Sequence, residues 1–370
     1  MKFTSSSSVS VAFIAAAATG GIGGAYASGL ERRIVGGSTL DSSLDYSFVI
    51  NVLATSDGKT AQACTGALIS ANVVIVPASC VTNSVSSKAL QPSQVVVGQG
   101  DPSAMLALVA SGSSVDLSKA SGYVYPSSVT SHPGYDSIAF TDNIAALVLS
   151  QPLASKATGA KLIVKPSADA GAAYMAVGWG VESVTNTTDY AQAPTQLPLT
   201  VGSNATCTGI WAPYASLTNA LCLQPQDSAK ANVCTGDGLL VKTGSNGQTV
   251  AVAGLLNIVA ADGQVPAYQC AGAAGIVDFF TTFANYVSWL TQVTPLTSSS
   301  DFVSTDSFDY QSSATSGDDD DASSDSDAVE SSDSAEENEL TSVESTKSGA
   351  AGLFSSASLV SAAAFVSLLF

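Results

Sequence analysis

Short apolar segments rich in β-branched residues recur through the middle of the chain, and Ser, Gly, Asn and Pro separate them. Short apolar runs between turn-forming residues predict the strands of a β-barrel or a β-sandwich. The predicted strands are residues 48–53, 73–76, 95–97, 144–149, 174–177 and 250–256.

A helical pattern occurs only after these strands. Phe283, Val287 and Leu290 recur at the spacing i, i+4 and i+7, which places them on one face of an α-helix. We expect Thr281 or Thr282 to cap the N-terminus of this helix. The pattern therefore predicts an all-β domain that is followed by one C-terminal helix.

The start of the chain has a different composition. Residues 1–27 contain Lys2, then a short apolar stretch, then the sequence AYA at 25–27, which is the order of a secretory signal peptide. The alternative is a disordered start rich in Ser, Ala and Gly. Removal of the signal peptide would leave residues 28–33 as a short pro-segment.

Acidic and hydroxyl-bearing residues dominate residues 291–347. From residue 291 onward the chain has 15 acidic residues and one Lys, which accounts for −14 of the net charge of −18. A segment this polar cannot bury a core, so we expect an acidic, Ser/Thr-rich, disordered stalk. The acidity also argues against a nucleic-acid partner.

The last residues, 348–370, form another distinct segment. Three small residues begin at Ser348, a spacer of eight residues follows, and twelve mostly apolar residues complete the segment. This order predicts a glycosylphosphatidylinositol (GPI) signal with attachment at Ser348. The run is shorter than the roughly 20 residues of a membrane-spanning helix. The alternatives are a disordered hydrophobic end and, less favoured, a single-pass membrane helix.

Residues 34–290 remain for one folded domain and contain all six cysteines. An even number of cysteines behind a signal peptide predicts three disulfides, although spacing alone leaves the pairing open. The chain has one His and no C-x-x-C motif, so we expect neither a metal nor a cofactor. Asn186 and Asn204 begin N-glycosylation sequons.

Four short motifs resemble conserved segments of the trypsin-like serine proteases, peptidase family S1. They are RIVGG at 33–37, CTGALIS at 64–70, VGWG at 177–180 and CTGDG at 234–238. The resemblance implies two antiparallel Greek-key β-barrels with a site between them and a terminal helix. It also implies three disulfides, which are Cys64–Cys80, Cys207–Cys222 and Cys234–Cys270.

The family carries its catalytic His, Asp and Ser at positions that correspond here to Ser79, Asn143 and Gly238. Ser79 has no basic nitrogen that could act as a general base, and Asn143 has no charge to stabilise an imidazolium. Gly238 either replaces the nucleophile or marks its deletion. A shift of one residue would put Asp142 at the Asp position. The chain's only His, His132, is expected to be structural or solvated.

Other family positions are retained or altered. The activation ion pair would join the amine of Ile34, freed by cleavage after Arg33, to Asp237. The base of the specificity pocket corresponds to Asn232, and the strand that lines the pocket corresponds to residues 257–259. The family has Ser-Trp-Gly where this chain has Asn257, Ile258 and Val259, and larger side chains there would narrow that cleft.

These observations lead to the hypothesis of an inactive, secreted, surface-anchored protease homologue that binds or inhibits another protein, such as an extracellular hydrolase of a host. It is similar in a general way to the glucanase inhibitor proteins of oomycetes, which lack an intact triad. The first alternative is a serine endopeptidase with residual or non-standard activity. The second is a structural or adhesion module at the cell surface.

Overall fold

The computed structural model describes residues 34, 37–99, 115–120, 122–153, 157–179, 193–225, 233, 238–245, 247–261, 275–297, 300–305 and 308. Strands dominate the described residues. The first eight strands are β1 Ser38–Thr39, β2 Val49–Ala54, β3 Gln62–Ser70, β4 Val73–Val76, β5 Val95–Gly98, β6 Tyr123–Val124, β7 Pro126–Ser131 and β8 Ala145–Leu149. The others are β9 Leu162–Ile163, β10 Ala173–Gly178, β11 Thr195–Val201, β12 Ala220–Pro225, β13 Leu239–Thr243, β14 Val250–Ala260, β15 Val277–Thr281 and β16 Phe302–Val303.

The helices of the described residues are short. The α-helices are α1 Ala78–Val81, α2 Asn204–Ile210 and α3 Val287–Val293. The 3-10 helices are Pro92–Gln94, Leu117–Lys119, Ala212–Ser216 and Ala284–Tyr286. Within the described ranges, none of these helices has the length and apolar character needed to cross a bilayer.

Seven strands form the first barrel-like sheet, in the order β6-β5-β2-β3-β4-β8-β7. Every residue of β2 is buried, and its apolar side chains enter two different hydrophobic clusters. Val52 belongs to the main core, whereas the next residue, Leu53, packs with Val96 and Leu117. This strand is therefore covered on both faces, as expected inside a barrel.

The second sheet has nine strands and closes on itself. Its path runs β13-β10-β11-β12-β15-β14, and β13 pairs again with β14 to complete the ring. The short strand β1 pairs with β11, whereas β9 adds to β14 and β16 adds to β9 in parallel. Ring closure removes the free edges that an open sheet would expose.

One hydrophobic cluster continues from the first barrel into the second. It contains residues of β2, β3, β4 and β8 together with Val177, Leu239 and the terminal-helix residue Leu290. Trp179 adds hydrogen bonds across the junction, since its backbone N–H donates to Thr65 Oγ1 at 2.9 Å and its Nε1 donates to the Val49 carbonyl at 3.3 Å. The barrels are thus held together by apolar packing and by buried hydrogen bonds.

The all-β prediction is confirmed, and each predicted strand is present with boundaries shifted by a few residues. The predicted cap of the terminal helix is wrong. Thr281 is the last residue of β15, and α3 begins after Tyr286 with no side-chain cap. The reason is that β15 pairs with β12 and β14 through Thr281, so a 3-10 turn follows before the helix starts.

The folded unit continues past residue 290, where the sequence predicts the start of the stalk. Strand β16 pairs with β9, with Phe302 opposite Leu162 and Val303 opposite Ile163. Phe302, Val303 and Phe308 are buried. The predicted start of the stalk is wrong because these apolar residues stand among polar ones, and the average composition of the segment conceals them.

Candidate functional site

Ser79 and Asn143 lie side by side because of the strand pairing in the first barrel. Strands β4 and β8 are antiparallel with Val76 opposite Ala145, so α1 after β4 lies beside the residues that precede β8. The backbone N–H of Ser79 donates to Asn143 Oδ1 at 2.8 Å. Asn143 is only 2% exposed. The structure therefore brings into direct contact two of the three residues that the family resemblance assigns to the triad positions.

The disulfide Cys64–Cys80 fixes α1 to β3 immediately beside Ser79. The second bond, Cys207–Cys222, joins α2 to β12. Both pairings agree with those that the family resemblance implies. The third predicted pair, Cys234 and Cys270, lies outside the described residues.

Gly238 occupies a tightly packed position at the entrance to β13. It is buried, its carbonyl accepts the N–H of Leu256 at 2.9 Å, and a Cβ on it would lie 2.7 Å from Val233 Cγ1. A side chain has no room there.

Asp142 does not occupy the Asp position, because its side chain is committed elsewhere. Its Oδ1 accepts the hydroxyl of Tyr286 at 2.6 Å and Nδ2 of Asn219 at 3.2 Å, and its Oδ2 lies 3.7 Å from His132 Nδ1. The backbone of Asp142 is left-handed, with φ of 52°. A Cβ on Gly134 would collide with Oδ2 of Asp142, so this arrangement requires glycine at 134.

His132 packs against the C-terminal helical segment. Its ring meets Tyr286 and Trp289 edge-on, with centroids 5.1 and 5.0 Å apart, and its Nδ1 accepts the N–H of Gly134 at 3.2 Å. Burial lowers the pKa of His132, and the charge of Asp142 offsets this in part. No Ser or Thr hydroxyl of the described residues hydrogen-bonds to this ring. The geometry supports the structural role expected from the sequence.

The predicted pocket-lining residues lie at the buried end of β14. Ile258 and Val259 are almost fully buried, and Asn257 Nδ2 donates to the carbonyl of Phe140 at 2.8 Å. Asn257 thus connects the second barrel to a loop of the first. Asn232, the predicted base of the pocket, lies outside the described residues.

Asp278 is a buried charged residue that the motif comparison missed. It is opposite Val259 in the pairing of β14 with β15 and is 0% exposed. Neither carboxyl oxygen has a hydrogen-bond partner among the described residues. Burial raises the pKa of Asp278 to about 8, although the nearby backbone N–H of Val233 counteracts part of the rise. A single Asp within the apolar run IVDFF is the signal that could have revealed it.

Ile34 is fully buried in the cluster of the second barrel. Its N–H donates to Thr195 Oγ1 at 3.2 Å, and its carbonyl accepts the N–H of Gly37 at 2.6 Å. Asp237, its predicted ionic partner, lies outside the described residues, so the pair stays a prediction. The same applies to Asn186 and Ser348, whereas Asn204 is exposed at the start of α2.

A cleft of about 230 Å³ opens beside Ser79. It is lined by two segments of the first barrel, residues 79–87 and 135–138, and most of its polar groups are hydroxyls. Asp136 is the only charged residue among those that line it. The described residues contain no group of three or more His, Cys, Asp or Glu side chains suited to hold a metal.

Two barrel-like sheets, with the Ser79–Asn143 contact in one and Gly238 at the edge of the other, define a chymotrypsin-type double-barrel protein. The chain belongs to the trypsin family, whose model, described as Trypsin, matches residues 34–290. A search of curated proteins finds no match.

Proposed function

We propose that this protein is a catalytically inactive member of the trypsin family that acts by binding another protein. The observation that carries the proposal is the contact of Ser79 with Asn143. The family's reaction needs an imidazole that takes a proton from the nucleophile and a carboxylate that orients it. A serine and a neutral amide at these two positions provide neither.

The remaining chemistry of the described residues also supports the absence of catalysis. His132, the only imidazole of the chain, is held by Tyr286 and Trp289 beside Asp142. Nucleophilic catalysis requires a hydroxyl within hydrogen-bond reach of the base. The tight packing around Gly238 leaves no space for such a hydroxyl at that position.

The proposal includes a location outside the cell. The predicted signal peptide at 1–27, the two sequons and the predicted lipid-attachment segment at 348–370 support a secreted glycoprotein that is tethered to its own cell surface. An extracellular hydrolase is the proposed type of partner. The general similarity to oomycete glucanase inhibitors supports this choice, whereas the tether would restrict the protein to targets that reach the surface.

The absence of proteolysis is tested on the purified full-length protein. We expect neither cleavage of general peptide substrates nor labelling by a fluorophosphonate probe, with an active trypsin-family protease as the positive control. Stoichiometric labelling that disappears when one serine is replaced would contradict the proposal.

The tether is tested on intact cells. Phosphatidylinositol-specific phospholipase should release the protein into the medium, and a transmembrane protein treated in the same way should stay bound. Detection of peptides from residues 359–370 in the mature protein would show that the attachment segment is retained and that no lipid has replaced it.

A further inference from the structure

Two large apolar side chains of the described residues are exposed almost completely, and both belong to the loops that line the cleft beside Ser79. Val85 is 94% exposed and Ile138 is 87% exposed. Ile138 lines the cleft itself. Val85 lies in the turn of residues 83–87, and two other residues of this turn, Ser84 and Ser87, line the cleft. Single exposed apolar residues are ordinary on protein surfaces, but two beside one cleft point to a contact surface.

The same kind of turn exposes the side chains of Val85 and Ile138. Asn83 Oδ1 accepts the N–H of Val85 at 3.0 Å and that of Ser86 at 2.9 Å. Asp136 Oδ1 accepts the N–H of Ile138 at 2.7 Å and that of Ala139 at 2.9 Å. Each polar side chain therefore folds its own loop into an Asx turn with the apolar residue two positions later.

Both loops are also closed at their base. An isolated antiparallel bridge joins Thr82 to Ala89 below the first turn, and another joins Asp136 to Thr141 below the second. A preformed loop loses little conformational entropy on binding. The two apolar tips are thus held ready for contact with a partner.

The cleft between these loops favours a cation. Asp136 is an exposed residue, and the turn employs its Oδ1 and not its Oδ2. The backbone N–H groups of Ala139 and Ile138 lower the pKa of Asp136, so its carboxylate stays ionised. Three residues that carry hydroxyl groups, Ser79, Ser84 and Ser137, line the same cleft. A guanidinium or ammonium group carries only donors and matches such acceptors.

We propose that this cleft receives a basic side chain of a partner protein, while apolar residues that flank it in the partner's sequence pack on Val85 and Ile138. The inference rests on the proposed binding function and specifies the chemistry of its ligand. The chain's own C-terminal segment is an unfavourable occupant because it carries 15 acidic residues and one Lys from residue 291 onward.

The test uses the full-length protein and synthetic peptides with Gly/Ser flanks and a Leu-Xaa-Leu centre, where Xaa is Arg, Lys, Gln or Glu. We expect the Arg and Lys peptides to bind about tenfold more tightly than the Glu peptide, because the carboxylate of Asp136 attracts a basic side chain and repels an acidic one. Raising the salt concentration should reduce that preference.

Matched variants separate charge from shape. Asp136→Asn keeps an oxygen for the Asx turn and should abolish the preference for Arg over Gln. Val85→Ser and Ile138→Ser should each weaken the Arg peptide about fivefold or more. Two control variants should change neither result. The first is Asp41→Asn, in an exposed turn that does not line the cleft, where Asp41 Oδ1 accepts the N–H of Ser43. The second is Ser86→Ala.

The outcomes distinguish this inference from the proposed function. Equal affinity for the Arg and Glu peptides, absence of binding up to millimolar peptide, or binding of soluble oligosaccharides in place of peptides would each overturn the basic-ligand inference. Mass spectrometry of the recovered peptides provides the separate check. Peptides cleaved at a defined bond would overturn the inactive-homologue proposal whatever the preference for charge.

Discussion

Asp278 shows how one buried side chain can make stability depend on pH. Its carboxyl is fully buried among apolar strands and lacks a hydrogen-bond partner among the described residues. Burial penalises the charged form, so the pKa is raised from 3.8 to about 8. The folded protein then holds a proton that the unfolded chain releases once the pH exceeds about 4.

Replacement of Asp278 with Asn should therefore stabilise the protein at neutral and mildly alkaline pH. Between pH 4 and 8 the free energy of unfolding of the wild type should fall by up to about 1.4 kcal/mol per pH unit on account of this group. The variant should lack this loss, so its advantage should grow as the pH rises. Denaturant unfolding at pH 5 and pH 8 measures the difference.

The matched control for Asp278 is Asp169→Asn, which alters an exposed carboxyl that accepts the hydroxyl of Ser167. It should give no pH-dependent gain. An equal stability difference between wild type and Asp278→Asn at the two pH values would refute the raised pKa.

Gly134 is required because the carboxyl of Asp142 lies against it. Gly134→Ala should push Asp142 Oδ2 away from His132, and we expect a loss of about 2 kcal/mol in the free energy of unfolding, which is typical of overpacking. Thermal unfolding measures this loss. Gly209→Ala in α2 is the control, because a Cβ there meets nothing within 4 Å. Equal melting temperatures for the two variants would mean that the loop adjusts freely.

At the scale of elements, β16 extends the domain past the C-terminal helix. Phe302→Ser should lower the free energy of unfolding by about 3 kcal/mol, because it removes a buried aromatic ring that packs in the main core. Truncation after residue 295 should have at least as large an effect. Thermal unfolding measures both.

A suitable control for Phe302→Ser is Thr305→Ser, which keeps the hydroxyl that donates to the Lys165 carbonyl at 2.6 Å. If truncation after residue 295 left the melting temperature unchanged, β16 would have no role in stability.

The strands and the site were predictable from the sequence to different degrees. Strands such as β4 and β8 are continuous apolar runs, and the family resemblance identified Ser79 just after β4 and Asn143 just before β8. Phe302 and Asp278 were missed because each differs in polarity from its neighbours in the sequence. Phe302 is an apolar residue in a polar segment, and Asp278 is a charged residue in an apolar one. The contacts of Asp142 with Tyr286 could not be predicted, because 144 residues separate the two along the chain.

At the scale of the whole molecule, burial of Ile34 places the start of the domain inside the second barrel. If cleavage after Arg33 frees its amine to pair with Asp237, the cut protein should be more stable than the uncut one. Asp237→Asn should then destabilise the cut form by about 3 kcal/mol and leave the uncut form nearly unchanged. Thermal unfolding of both forms tests this.

The uncut reference is obtained by changing Arg32 and Arg33 to Gln. In that variant the amide N–H of Ile34 can still donate to Thr195, so only the ionic contribution is removed. Identical melting temperatures for cut and uncut protein, with Asp237→Asn harmless in both, would make the retained Ile34 and Asp237 an inherited feature without a present role.

The hydrogen bond between Ser79 and Asn143 joins two groups that neither gain nor lose a proton across the range in which proteins stay folded. A protease with an imidazole at this point is switched off when the ring titrates near pH 6 to 7. A neutral amide has no such threshold. The contact between the segments that carry Ser79 and Asn143 should therefore keep its shape at acidic and at neutral pH. A partner that acidifies its environment would meet the same contact as one that does not.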